Sequence, residues 1–439
     1  MTRLKAATCM AGLLVAATVW AGGPILVDTD TGKTGKAVVW KNPQAITYNP
    51  ETGGGLSATK DNATSRQLVS DLFSKWSAVT LQGKSVVSIA VVEGTGLGDV
   101  TSTNIKDHFA YCPPGNSCGD QTCPATKTTG FNCGTAGTSA HPTPVIFDDD
   151  GKITDAINGS GAKSEILGFA GPRLTERDAS GDLKIVEGQA VLNGLFINGS
   201  KGTGDPADVS DDDFKGAIFH ELGHLLGLDH SQVNHDSYDA VKAGNASEAQ
   251  YIETMFPIFI EGADILSPAK DDIVALATLY PTADFTSGFC TLQGKILQSD
   301  STEFQGANVI ARNVISSKID AVAFVSGALY TTGSPNGNYF LKGLIPGNSY
   351  TLDVEPIDTS FKGGSSLEPV QDPKNYQFTR KTGIGPFACA TAGTTITSET
   401  NVTTDFKAGS STTTTTGNSS TGSTAAAASS SGGCTLIPQ

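Results

Sequence analysis

Four residues in the stretch Ser210 to Ser231, SDDDFKGAIFHELGHLLGLDHS, are of types and at spacings that can do chemistry together. His220 and His224 stand four apart, so on a helix both imidazoles project from one face about a turn from each other, which suits two ligands of one zinc ion. Gly227 can take the positive φ that ends a helix and turns the chain, so that His230 supplies a third nitrogen. Three neutral donors leave one position open for water. A zinc ion held this way lowers the pKa of its water towards neutrality and polarises a carbonyl. Glu221, beside the ligands without needing to be one, is placed to take the proton of that water and pass it to a leaving amine, which is the chemistry of peptide-bond hydrolysis. The chain has six histidines. Chance would assemble the five-residue core in roughly a few per thousand such sequences, so ordinary helix histidines are the weaker reading. His108, His141 and His235 are isolated and read as surface residues.

The elements that must position these residues are partly legible. Ser210 can cap a helix, with Asp213 in the capping-box place and Asp211 and Asp212 at the positive end of the dipole; the helix should run to about Leu226. Ser65 to Val79 carries Leu68, Val69, Leu72, Phe73 and Trp76 at helical spacing. Ala37 to Trp40, Ala45 to Tyr48, the apolar run Val86 to Val92 and Glu187 to Phe196 read as strands. Leu266 to Tyr280 reads as a helix capped by Ser267, with Pro268 first and Asp271 and Asp272 as first-turn acids. Beyond Pro281 the pattern changes to short strands between Gly, Asn and Pro turns, and from Ala408 to Gly433 it becomes Ser/Thr/Gly/Ala repeats that cannot bury a core.

The chain has 439 residues and a net charge of −15, too acidic to grip nucleic acid. Arg3 and Lys5 before the apolar run Ala6 to Trp20, shorter than a membrane span needs, read as a secretory signal cleaved after Ala21, with an uncleaved N-terminal anchor as the alternative. No membrane span is expected in the mature chain. Seven cysteines then remain: Cys112, Cys118, Cys123, Cys133, Cys290, Cys389 and Cys434. The spacings among the first four lack the paired C-x2-C form, which favours two local disulfides over a four-thiolate zinc site. Cys290 and Cys389 could bridge the ends of the strand-rich region. In Phe147 to Asp155, FDDDGKITD, the acids Asp148, Asp149, Asp150 and Asp155 surround Gly151 and could hold calcium; a solvated acidic turn is the other reading.

HELGHLLGLDHS resembles the extended zinc motif of the metzincin metallopeptidases, and Ser231 after the third histidine resembles the matrixin branch. Glu253-Thr254-Met255-Phe256-Pro257 resembles that branch's methionine turn, with Met255 beneath the metal. Leu266 to Tyr280 resembles its last helix, in which Asp271 and Asp272 would brace the turn. Trp40, Ile46-Thr47-Tyr48 and Trp76-Ser77-Ala78-Val79-Thr80 resemble its first strand and helix, so the resemblance covers roughly residues 36 to 281. It implies an α+β catalytic domain: a twisted mixed sheet, two long helices and an irregular C-terminal subdomain. It also implies one catalytic zinc, calcium in loops of the Asp148 region, and a protein or peptide substrate. No cysteine-switch propeptide is present, and the loop from Cys112 to Cys133 is an insertion.

Thr286 to Lys407 contains Gly306-Ala307-Asn308-Val309 and Gly343-Leu344-Ile345-Pro346-Gly347, which resemble the carboxypeptidase regulatory-like, prealbumin-type β-sandwich; a spacer or weak binder is its default role. The expected organisation is a signal (1–21), an N-terminal segment (22–35), a zinc metallopeptidase domain (36–285), an all-β sandwich (286–407) and a disordered tail (408–439). The tail resembles the region before a C-terminal sorting segment, so cell-surface attachment through it is one expectation and free secretion another. The expected function is that of a secreted, monomeric zinc endopeptidase. A surface adhesin whose metalloprotease-like domain is inactive or accessory is the alternative, disfavoured by the intact His220, Glu221, His224 and His230.

Overall fold

A computed structural model describes residues 23–28, 36–109 and 142–398, apart from 200, 201, 203, 261, 299, 328–335 and 358–377, and the short segments 402–403 and 434–435. The signal segment, Cys112, Cys118, Cys123, Cys133, His141 and the repeats of the tail lie outside the described residues. No described helix is long and apolar enough to cross a membrane.

In chain order come β1 (Val39–Trp40), β2 (Ile46–Pro50), α1 (Asn62–Ser77), β3 (Thr80–Leu81), β4 (Lys84–Ser85), β5 (Val91–Glu93), β6 (Pro144–Asp148), α2 (Lys152–Asn158), β7 (Gly168–Arg177), β8 (Leu183–Asn193), α3 (Asp211–Leu225), α4 (His235–Lys242), α5 (Lys270–Leu279) and α6 (Ala283–Gly288). A strand-rich region follows: β9 (Cys290–Leu297), β10 (Asn308–Asn313), β11 (Ala321–Val325), β12 (Asn338–Leu344), β13 (Ser349–Glu355), β14 (Lys381–Ala388), β15 (Thr395–Thr397), β16 (Val402–Thr403) and β17 (Cys434–Thr435). The architecture is mixed α+β. In the first sheet β5, β2, β6 and β8 run parallel, β7 pairs antiparallel with β8, and β17 pairs antiparallel with β7. The chain beyond the repeats is thus tied to the sheet by its backbone, Cys434 opposite Ala170.

Alternation along these strands separates two apolar layers. Val145, Phe147, Ala190 and Leu192 face α1 and α3, while Ile146 and Val191 face Ile153 and Ile157 of α2. Trp76 anchors the first layer: its ring stacks on Phe219 at 4.4 Å and its Nε1 donates to the Phe219 carbonyl at 2.9 Å. The expected strand Val86 to Val92 forms only from Val91 onward. Before it, Val87 bridges Pro281 and Ser88 N donates to the Tyr280 carbonyl, so the chain is buried but spent on a partner too short to make a ladder.

The strand-rich region forms two four-stranded sheets, β11-β10-β13-β14 and β12-β9-β15 with β16 also on β9. The expected bridge is present: Cys290, opening β9, is disulfide-bonded to Cys389, just past β14, so it ties one sheet to the other. This region packs directly on the first one. At Gly343, φ +69°, an added Cβ would meet Val274 of α5 at 2.4 Å, and the apolar core runs on without a break from Phe219 through Leu276 to Leu292 and Tyr350.

Candidate metal centre

Helix α3 starts as its sequence implies. Ser210 Oγ accepts from Asp213 N at 3.1 Å and donates to Asp213 Oδ2 at 2.6 Å. At the other end Gly227 has φ +97°, Leu228 N donates to the Gly223 carbonyl at 3.0 Å and Gly227 N to the His224 carbonyl at 2.9 Å. This paired closure turns the chain so that residues 228–230 run back beside the helix. The N-terminal residues fix that turn from outside: Ile25 N donates to the Gly227 carbonyl and Asp229 N to the Gly23 carbonyl, at 2.8 and 3.0 Å.

His220, His224 and His230 converge, with one ring nitrogen from each lying within 4.8 Å of the others. His220 and His224 are fully buried, and His230 is 3% exposed. His220 Nδ1 sits 2.6 Å from the Thr254 carbonyl and His224 Nδ1 2.8 Å from the Leu228 carbonyl. A carbonyl only accepts, so both Nδ1 atoms carry the proton and both Nε2 atoms present lone pairs. Those two Nε2 atoms lie 2.9 Å apart. Two lone pairs held face to face in a buried site repel unless a cation lies between them, so the donor set fits a metal ion.

Burial pushes the His220 imidazole down to about 4, and holds His224 well below its ordinary value with the neighbouring His220 and His230 as further causes. An unfolded chain protonates these rings near 6.5. The native state therefore binds fewer protons between about 6.5 and 4, and the stability these rings contribute is full above that window and lost as pH falls through it. Asp272, raised to about 7 by burial and by Asp271, works in the opposite sense. In chelator-treated protein labelled with 13C-histidine, the His220 and His224 resonances are expected to hold their neutral positions from pH 7.5 to 5. Titration near 6.5 in the folded protein would contradict this environment.

The segment around Met255 closes the floor. Met255 N and Thr254 N donate to Asp272 Oδ1 and Oδ2 at 3.1 and 2.9 Å, which also aims the Thr254 carbonyl at His220. Ser231 N donates to the Met255 carbonyl at 2.7 Å, and Ser231 Oγ to Asp271 Oδ2 at 2.5 Å. Helix α5 begins later than its sequence suggests: the cap is Ala269, not Ser267, because Asp272 reaches back to Ala269 N at 2.9 Å. Glu253, fully buried beside this pair, has its carboxyl raised well above the usual range by burial and by Asp272 and Asp271. Glu221 is also fully buried, with its Cγ where a Cβ at Gly168 of β7 would come within 3.3 Å.

Asp148, Asp149, Asp150 and Asp155 do not converge; among the described residues the three histidines are the one group that does. Asp148 accepts from Ile153 N, Thr154 N and Thr154 Oγ1, Asp155 accepts from Gly161 N and Lys163 N, and Asp150 pairs with Lys152. These carboxylates are used by local backbone amides and by Lys152, with Asp148 buried.

Gly223 was not legible as part of the site. A Cβ there would meet Met255 Sδ at 2.6 Å and the Trp76 ring at 3.1 Å, so helix and methionine floor touch through its missing side chain. Its one sequence signal is a glycine inside an otherwise well-formed helix, where it costs about 1 kcal/mol against alanine. Gly223→Ala is nevertheless expected to destabilise by about 1 to 3 kcal/mol through overpacking, read by urea denaturation; a stabilised variant would refute the close contact.

No protein-family model, curated protein or solved structure matches this chain. The class that fold and site define is therefore a mixed α+β protein with a buried three-histidine group able to hold a metal ion.

Proposed function

We propose that this chain is a secreted zinc-dependent endopeptidase acting on extracellular protein or peptide. The observation that carries the reading is the pair of opposed His220 and His224 Nε2 lone pairs, with the His230 ring 4.8 Å from that of His224 and the Glu221 carboxylate in the same helical turn. Ligands about 2.0 to 2.1 Å from a tetrahedral ion stand about 3.3 Å from one another, close to the 2.9 Å found here. Met255 beneath the histidines and Asp272 on its amide support the matrixin likeness of the sequence.

His220, His224 and His230 would hold the ion, which when bound lowers the pKa of a water and polarises the substrate carbonyl. The Thr254 and Leu228 carbonyls keep the first two rings in the ligating tautomer. Glu221 takes a proton at its carboxylate and returns it to the departing amine. All three rings are buried, which keeps bulk water from them. The disulfide between the two C-terminal sheets fits an oxidising compartment.

Elemental analysis of the purified chain beside a casein or gelatin cleavage assay tests the reading. One zinc per chain, with cleavage abolished by a chelator and restored by zinc, is the expected result. Absence of bound metal would overturn it, and zinc without cleavage of any protein substrate would favour the adhesin alternative.

A further inference from the structure

The segment that follows the third histidine, residues 231–234, is buried throughout, and its partners on one side all come from the C-terminal sheets. Arg312 of β10 donates from Nη2 to the Val233 carbonyl at 2.5 Å and from Nη1 to Asn234 Oδ1 at 3.0 Å, while its Nε donates to Asp353 Oδ2 of β13 at 2.9 Å. Asn308 of the same strand donates from Nδ2 to the Gln232 carbonyl at 3.3 Å. Val233 inserts its side chain among Ile310, Ala321, Ala323, Val325 and Ile357. Asp271 joins the two sides: one carboxylate oxygen takes the Ser231 hydroxyl, and the other takes Ala323 N of β11 at 2.6 Å.

His230 has no helix to hold it. His220 and His224 are fixed by α3, whereas His230 lies beyond the Gly227 turn, and backbone free to move there would carry its imidazole away from the other two. The grip on residues 231–234 opposes this, together with the bonds from Ser231 N to the Met255 carbonyl and from Asp229 N to the Gly23 carbonyl, and it comes from a buried guanidinium whose forked geometry reaches the Val233 carbonyl and Asn234 Oδ1 at once. We infer that the C-terminal β region is a working part of the metal centre, with Arg312 and Asn308 as positioning residues for His230, rather than a spacer beside it. This rests on the metal-centre reading above.

The test is zinc affinity of the full chain, by competition with a chromophoric chelator, together with the visible spectrum of the cobalt-substituted protein. Arg312→Lys keeps a charge beside Asp353 but loses the fork, and Asn308→Ala removes the neighbouring contact. Each is expected to weaken zinc binding by about 10- to 100-fold, as loss of an outer partner does, and to alter the cobalt bands. A Cys290→Ser, Cys389→Ser double variant destabilises the same sheets without touching residues 231–234, and is expected to keep the parental affinity and spectrum. Parental zinc affinity in Arg312→Lys and Asn308→Ala would overturn the inference, as would equal weakening in the double variant. Should Arg312→Lys not fold, Asn308→Ala decides. A parent chain that binds no zinc would instead sink the metal reading itself, so the two failures are distinguishable.

Discussion

Replacing Glu221 by Gln is expected to leave one zinc per chain and the thermal midpoint nearly unchanged, while lowering kcat/KM for a peptide substrate by about 10²- to 10⁴-fold. That range corresponds to about 3 to 5 kcal/mol of lost transition-state stabilisation. Gln preserves the volume of a side chain that is fully buried between α3 and Gly168, so packing is conserved and the ability to take a proton is the property removed. The helix that carries it is fixed independently, by the Ser210 cap at one end and the Gly227 closure at the other. Retained zinc with lost cleavage would place the carboxylate in the reaction. Cleavage as fast as the parent's would remove Glu221 from the mechanism and the proposed hydrolysis with it.

His224→Ala should abolish stoichiometric metal. Two imidazoles remain, one of them beyond the Gly227 turn, and the site loses the donor that faces His220 at 2.9 Å. Anything that binds the native state alone stabilises it by mass action: about 4 kcal/mol when the free ligand stands at a thousand times its Kd. The parent should therefore melt at distinctly lower temperature in a chelator than in zinc, and the variant at the same temperature in both. The chelator shift is the discriminating readout, because loss of a buried ring costs stability whether or not metal is involved. A variant that kept its zinc, or a parent indifferent to the chelator, would count against the three-histidine centre.

Together with the Arg312 substitution, these changes separate three levels of the proposed site: the group proposed to move the proton, the groups proposed to hold the ion, and the groups proposed to hold a ligand in place. Each has its own signature in activity, metal content and metal affinity. The strand-rich region is also bonded to the helices around the histidine segment. Lys270 at the start of α5 is buried against Asp320 and the Tyr350 hydroxyl, and Asp236 of α4 pairs with Arg380, so both helices flanking the histidine segment are bonded to the same β region.

Local rules carried much of this protein. Helix α3, its cap at Ser210, the turn at Gly227 and the shared face of His220 and His224 follow from spacing, capping chemistry and the conformational freedom of glycine, all properties of neighbouring residues. The apolar periodicity of α1 was legible for the same reason, and two cysteines 99 residues apart were found bridged as expected; the strands expected beyond Pro281 begin only at Cys290, after helix α6 (Ala283–Gly288). Tertiary structure decided what depends on distant partners. It shortened the strand expected at Val86 to Val92 by giving Val87 and Ser88 partners at residues 280–281, and moved the α5 cap because Asp272 serves Met255 and Ala269 together. It spent the acids near Asp148 on local backbone amides instead of gathering them. Above all it brought the Thr254 carbonyl to His220, and Asp271 and Arg312 to the segment that follows His230. A contact between a strand and a loop some eighty residues apart leaves no period or spacing in the chain, and only the packed fold can place it.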